Sequence, residues 1–279
     1  MNTSYKTFFA LIILILAIFG VYFLIRDLPT EYDQSVPVYH ETVSLQDMIV
    51  CASDVGIVAN SDSSLVSQLA TNYVSYDINL EQGTTIPKII AADVASSIGS
   101  WLCEFSTLYS DTTINEDDRS FIKTIQENDP SYRYSYFANL HPVIVDRWEI
   151  TNYMTSAYQF SGGAHGIGTI QNIILDTQNN RRVIPTEFFR PDATEPIKTI
   201  VAQKLTSILG EMMNNDMLQD GLNNPEVLFG LVIPTDTGIT FKFQSYDVAP
   251  YAAGQPEVYF DFTELTPFLT DAWKVRLGL

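Results

Sequence analysis

The sequence predicts an α+β fold of antiparallel β-sheets with packed helices, preceded by one N-terminal transmembrane helix. Three observations lead there. An uncharged apolar run fills Phe8–Ile25, and apolar residues recur at helical spacing in the first half of the remaining chain. From Tyr132 onward short β-rich runs are separated by turns and inserted helices, without the regular strand–helix–strand alternation of a parallel sheet. The corresponding parts are a cytoplasmic tail over 1–7, an anchor over 8–25, a stalk over 26–39, an N-terminal α+β part over 40–131 and a C-terminal α+β domain over 132–279.

The run Phe8–Ile25 holds 18 residues without a charge. As a helix it spans about 27 Å, close to the hydrocarbon thickness of a bilayer. Arg26-Asp27-Leu28-Pro29 follows, with no small-x-small cleavage pattern, so the run is expected to be an uncleaved single-pass anchor rather than a signal peptide. A short N-terminal tail before one anchor places the bulk of the chain on the periplasmic or extracellular side of the cell membrane. The prolines and scattered acids of the next segment give a stalk.

Charge narrows the partners. The chain carries 15 basic and 33 acidic residues, a net charge of −18. Such a surface repels nucleic acid; it serves solubility or favours cationic partners. Cys51 and Cys103, the two cysteines, both lie in the exported part. An oxidising compartment permits a disulfide between them, and two separate buried thiols are the alternative.

The elements follow in order. Ser64–Ala70 reads as helical, and Ala92–Leu108 as a helix because Val94, Ile98, Trp101, Leu102 and Phe105 fall on one face. Ser110–Asp118 is an acidic surface loop that lacks the ligand spacing and central glycine of a calcium loop. Tyr132–Tyr136, Val143–Ile150 and Tyr153–Phe160 read as strands, the last leading into Ser161-Gly162-Gly163-Ala164-His165-Gly166. Thr169–Leu175, the turn Asp176–Asn180 and Arg182–Ile184 form a hairpin. Pro185–Phe189 is a short helical start, and Glu195–Leu209 a helix with Ile197, Ile200, Val201, Leu205 and Ile208 on one side. Val227–Ile233, Ile239–Gln244 and Glu257–Phe262 are strands, and a final helix runs from Thr263, as its cap, to Val275.

Two segments then carry a likeness. Tyr158-Gln159-Phe160-Ser161-Gly162-Gly163-Ala164-His165-Gly166, with Ile173-Ile174-Leu175-Asp176 after it and Tyr246-Asp247-Val248-Ala249-Pro250-Tyr251-Ala252-Ala253-Gly254 later, resembles the envelope domain shared by RsiV-type anti-sigma factors and PdaC-type peptidoglycan deacetylases. The resemblance covers about residues 40–275. It implies a domain that faces the cell wall and contacts peptidoglycan or wall-acting proteins, as RsiV-like members bind lysozyme. The short tail before the anchor lacks a recognisable sigma-binding region, and no deacetylase domain accompanies the module, so neither activity is carried over.

The chemistry of individual residues bounds the rest. Of the three histidines, His40, His141 and His165, none sits in a zinc-binding spacing. Gln159-Phe160-Ser161-Gly162-Gly163 is not a nucleophile elbow, and the glycines do not give a dinucleotide fingerprint. No metal and no cofactor are expected. His165 either locks its turn by hydrogen bonds, contacts a ligand, or works with Asp247 as an acid–base pair; Asp247 equally fits the cap of a turn. Tyr246 and Tyr251 fit an aromatic wall for a sugar or ordinary packing. The expected ligand-binding set is Ser161, Gly162, Gly163, His165, Tyr246 and Tyr251. The expected function is binding of a cell-wall component or of a cationic wall-acting protein; the alternative is a peptidoglycan hydrolase or deacetylase using His165 and Asp247.

Overall fold

Apolar side chains spaced three or four apart make the longest helix, and a mixed sheet grows against it. The computed structural model describes residues 42–44, 51, 65–80, 85–145 and 148–279, all within one compact unit over 39–279. The predicted tail, anchor and stalk lie outside the described residues. Among the described residues no helix is long and apolar enough to cross a membrane.

The elements begin with β1 (Thr42–Ser44), β2 (Leu65–Ala70), β3 (Val74–Leu80), β4 (Thr85–Pro87), α1 (Lys88–Tyr109) and α2 (Glu116–Gln126). There follow β5 (Tyr134–Val145), β6 (Ile150–Phe160), β7 (Ile167–Asp176), β8 (Arg181–Val183) and α3 (Thr194–Leu209). The chain closes with α4 (Asn215–Asn223), α5 (Pro225–Leu228), β9 (Leu231–Pro234), β10 (Gly238–Lys242), β11 (Glu257–Asp261), α6 (Phe262–Leu265) and α7 (Asp271–Leu277). Six strands form one sheet in the order β2-β3-β5-β6-β7-β8, three form a second in the order β11-β10-β9, and β1 pairs with β4. The α+β class stands, but the large sheet is mixed. Strands β3 and β5 run parallel because α1 and α2 intervene and return the chain to the same end of the sheet.

Helix α1 buries Ile90, Val94, Ile98, Leu102 and Phe105 against one face of the six-stranded sheet, where Tyr76, Ile78, Tyr136, Ala138, Tyr153, Ile173 and Leu175 meet it. Cys103 on α1 is bonded to Cys51, their Cα atoms 5.4 Å apart. A second core lies at the β6–β8 end. There Ile150 and Ile174 of the large sheet pack with α3 (Ile197, Val201, Leu205), the three-stranded sheet (Val232, Ile239, Phe241, Phe260) and Trp273 of α7. Buried amides join the two sheets: Asn152 donates to the Pro234 carbonyl at 3.1 Å, and Asn172 donates to the Val232 carbonyl at 2.9 Å.

Several expectations are corrected. Residues 65–70 are an edge strand, not a helix; antiparallel pairing with β3 over all six residues decides their state, and the turn closed by the Val74 amide on Thr71 Oγ1 delivers them to that strand. The acidic run is not all loop. Asn115 Oδ1 accepts from the Asp118 amide at 2.8 Å, and Glu116, Asp117 and Asp118 form the first turn of α2, where acids suit the helix dipole. Residues 225–228 are helical, with Pro225 in the first turn and Asn224 as cap, and the strand starts only at Leu231. The last helix is two helices: Asp261, not Thr263, caps α6 in a reciprocal box with Glu264, and Pro267 separates it from α7. Helix α4 has no counterpart among the expected elements.

Candidate functional site

The glycine–histidine segment connects β6 to β7 and turns the chain with two left-handed glycines, Gly162 at φ 87° and Gly163 at φ 84°. Gly166 is demanded by crowding instead: a Cβ there would sit 2.3 Å from the Gln159 carbonyl oxygen and 2.5 Å from the Tyr158 ring. The Gly166 amide donates to the Tyr158 hydroxyl at 3.0 Å, while its carbonyl lies 3.0 Å from His165 Nδ1 and accepts from the Tyr251 hydroxyl at 3.3 Å. A carbonyl only accepts, so Nδ1 is the donor of that contact.

The later motif reaches the same place from the second sheet. Gln244 leaves β10, and its carboxamide bonds the backbone of Ile170: Oε1 accepts from the Ile170 amide at 3.1 Å, and Nε2 donates to the Ile170 carbonyl. The Gln244 amide donates to Asp247 Oδ2 at 2.8 Å, closing a tight turn in which Tyr246 takes φ 75°. A non-glycine residue in that region stores strain, a condition that clusters at functional sites. The turn presents Tyr246, 56% exposed, with its ring 5.6 Å from that of Tyr251. Tyr251 in turn stacks on the exposed His165, centroids 3.8 Å apart and planes 14° from parallel.

The structure therefore brings His165, Tyr246 and Tyr251 together and assigns the other candidates elsewhere. Gly162 abuts Tyr134 and Phe121, so the start of the loop leans toward α2. Among the described residues no hydrogen bond joins Ser161 to His165 and no ion pair joins Asp247 to His165. Asp247 caps its own turn; burial pushes its carboxyl up, and the Gln244 amide offsets part of that. His141 lies on β5, far along the sheet from this loop in register. Glu257 pairs with Lys242 at 2.8 Å and Glu264 with Lys204 at 3.0 Å, both on the surface. Among the described residues no group of three or more His, Cys, Asp or Glu side chains could hold a metal ion.

A second feature is absent from the sequence-based expectations. On the face of the large sheet opposite α1, Asn79 of β3, Asn139 and His141 of β5, Met154 and Ser156 of β6 and Ile170 of β7 line a cavity of about 290 Å³. Strand pairing sets Asn79, Asn139, Ser156 and Ile170 in one row across four strands. The next row on that face holds Asp77, Phe137 and Tyr158, the two rings 37% and 36% exposed. The available signal is the polar alternation within β3 and β5, which marks an uncovered face and leaves its ligand unspecified.

Comparison with known proteins places part of the chain. Residues 186–263 match the profile of a family described as "Protein of unknown function (DUF3298)". A DUF3298 family member from Bacteroides fragilis NCTC 9343, solved by crystallography, is similar in fold at a TM-score of 0.50 and 15% identity, over 76% of this chain and 94% of that one. A DUF3298 family protein from Pseudomonas aeruginosa PAO1 aligns at a TM-score of 0.48 and 16% identity, over 77% and 96% of the two chains. No curated protein matches. The matched segment runs from the turn before α3 into α6 and includes Tyr246 and Tyr251 but not His165: the chain carries a DUF3298 domain over residues 186–263.

Proposed function

We propose that the protein is a membrane-anchored extracytoplasmic domain that binds the glycan of the cell wall, without chemistry of its own. One observation carries this reading: the stack of the exposed His165 on the half-buried Tyr251, extended by the exposed Tyr246 on a strained turn. Stacked rings at a surface offer flat faces to sugar rings, and residues held at a cost in the backbone point to contact with a ligand. The resemblance to the RsiV- and PdaC-type envelope domain supports a wall-facing setting, as do the apolar run Phe8–Ile25 and the Cys51–Cys103 bridge. A hydrolase or deacetylase built on His165 and Asp247 finds less support, because the Asp247 carboxylate is engaged by the Gln244 amide.

Co-sedimentation of the full chain in detergent micelles with purified peptidoglycan tests this. Tyr251→Ala and His165→Ala should each reduce the bound fraction about three- to tenfold, the range expected for losing one aromatic contact, at unchanged melting temperature. Binding indifferent to both substitutions sinks the reading. A cationic wall-acting protein such as a lysozyme is the second reading, favoured by the net charge of −18. It requires association that weakens strongly as salt is raised, whereas neutral glycan binding barely changes.

A further inference from the structure

The cavity on the open sheet face has a chemistry of its own. In a chain of net charge −18, its side-chain lining among the described residues holds no carboxylate and no ammonium or guanidinium group. Two carboxamides, Asn79 and Asn139, stand side by side across the parallel β3–β5 pair, followed by the Ser156 hydroxyl across β5–β6. None of these three side chains has a hydrogen-bond partner among the described residues. A carboxamide both donates and accepts, so neighbouring Asn side chains match a group that does the same, namely another amide. Beside them Met154 and Ile170 give an apolar wall. Amide donors and acceptors next to a small apolar surface complement an acetamido group: its carbonyl and N–H meet the carboxamides and its methyl meets Met154 and Ile170.

The adjoining row decides between a sugar and a peptide as the bearer of that amide. Phe137 and Tyr158 oppose one another across β5–β6, two residues or about 6.8 Å along the strands from Asn139 and Ser156. Gly168 faces Tyr158 on β7, so the residue opposite brings no side chain to that ring, which lies along the backbone of Gly166 and Gly168 and is 36% exposed. Flat aromatic faces at that spacing suit the next pyranose ring of an oligosaccharide, and Asp77 in the same row accepts from hydroxyls while repelling anions. Tyr158 also accepts from the Gly166 amide, so the row is continuous with the His165–Tyr251 stack. A volume of about 290 Å³ is at the small end of ligand pockets, the size for one residue of a chain lying across the face.

From this geometry we infer that the sheet-face cavity is a subsite for an N-acetylated hexosamine residue, with Asn79 and Asn139 reading the acetamido group and Phe137 and Tyr158 carrying the neighbouring ring. The inference rests on the glycan-binding reading and gives it a substrate class.

Calorimetric titration of the full chain in a detergent without a sugar headgroup, using the β-1,4 trimer of N-acetylglucosamine, tests it against cellotriose, which keeps the linkage and lacks the acetamido groups. The acetylated trimer should bind at least about tenfold more tightly, the value of one lost hydrogen bond of about 1.4 kcal/mol. Asn79→Ala and Asn139→Ala should each weaken it about tenfold at unchanged melting temperature. Equal affinity for the two trimers, or insensitivity to both substitutions, overturns the inference; so does an alanine tripeptide that competes for the site. The trimer comparison needs no variant and remains decisive if a variant fails to fold. If peptidoglycan co-sediments in a Tyr251-dependent way but the acetylated trimer does not bind, the subsite falls and the glycan reading stands. If the trimer binds through Asn79 and Asn139 but peptidoglycan does not co-sediment, the wall reading falls and the subsite stands.

Discussion

Asp176 ends β7 with its carboxylate buried between Arg276 and the following turn. Arg276 Nη1 donates at 2.7 Å and Nη2 at 3.0 Å, and Asn179 donates from its amide at 3.1 Å and its side chain at 2.9 Å. Burial alone pushes this carboxyl up, but those hydrogen bonds outweigh it and hold it at about 2. A carboxyl depressed below its unfolded value of about 3.9 stabilises the fold above that pH by about 2 to 3 kcal/mol, and the contribution disappears as pH falls from about 4 through about 2. Arg276→Met should therefore cost about 3 kcal/mol near neutrality, and the gap from the parent should shrink in denaturant titrations repeated toward pH 2. A gap independent of pH would show that the pair contributes only packing. Asp176 is legible in the sequence as the first residue of a turn; that its partner lies a hundred residues on is not, because the pairing depends on where α7 docks.

Helix α1 is legible from apolar residues at helical spacing, of which Val94, Ile98, Leu102 and Phe105 are buried and Trp101 half-buried, and the β7–β8 hairpin from the turn residues Asp176–Asn180. Strand β2 and helix α5 depart from their sequence patterns for opposite reasons. A six-residue segment takes its state from the strand it pairs with, whereas Pro225 with Asn224 is a local start signal that outweighs the apolar run behind it. The bridge from Cys51 to Cys103 ties α1 to a segment 52 residues earlier. In the chain-entropy account, closing a loop of that length stabilises the fold by about 4 kcal/mol. The double substitution Cys51→Ala, Cys103→Ala should lower the unfolding free energy by about that amount in urea titration. A loss under about 1 kcal/mol would mean that the loop it closes is already constrained without the bond.

At the scale of the molecule, two cores share β6 and β7, and the buried amides of Asn152 and Asn172 fasten the small sheet to the large one. Asn172→Ala removes the donor to the Val232 carbonyl and should cost about 1 to 3 kcal/mol, the penalty of a buried acceptor left alone. Hydrogen exchange should then quicken in β9 and β10 more than in β5. Uniform acceleration would place the two sheets in a single unfolding unit instead. The candidate site is likewise a product of this scale. The motifs at 161–166 and 246–254 can each be picked out in the sequence, but their meeting in one ring stack depends on how the small sheet lies beside β7, and no local pattern encodes that.

Strand β7 pairs with β8 only over Ile174–Asp176, so most of its outer side is a sheet edge. Gln244 covers that side at Ile170 with a side-chain amide that donates and accepts as a neighbouring backbone would. An uncovered edge is a template on which a second chain can add a strand. The same carboxamide that brings Tyr246 and Tyr251 toward His165 thus occupies the edge at Ile170, so that blocking strand addition there and assembling the ring stack fall to a single residue.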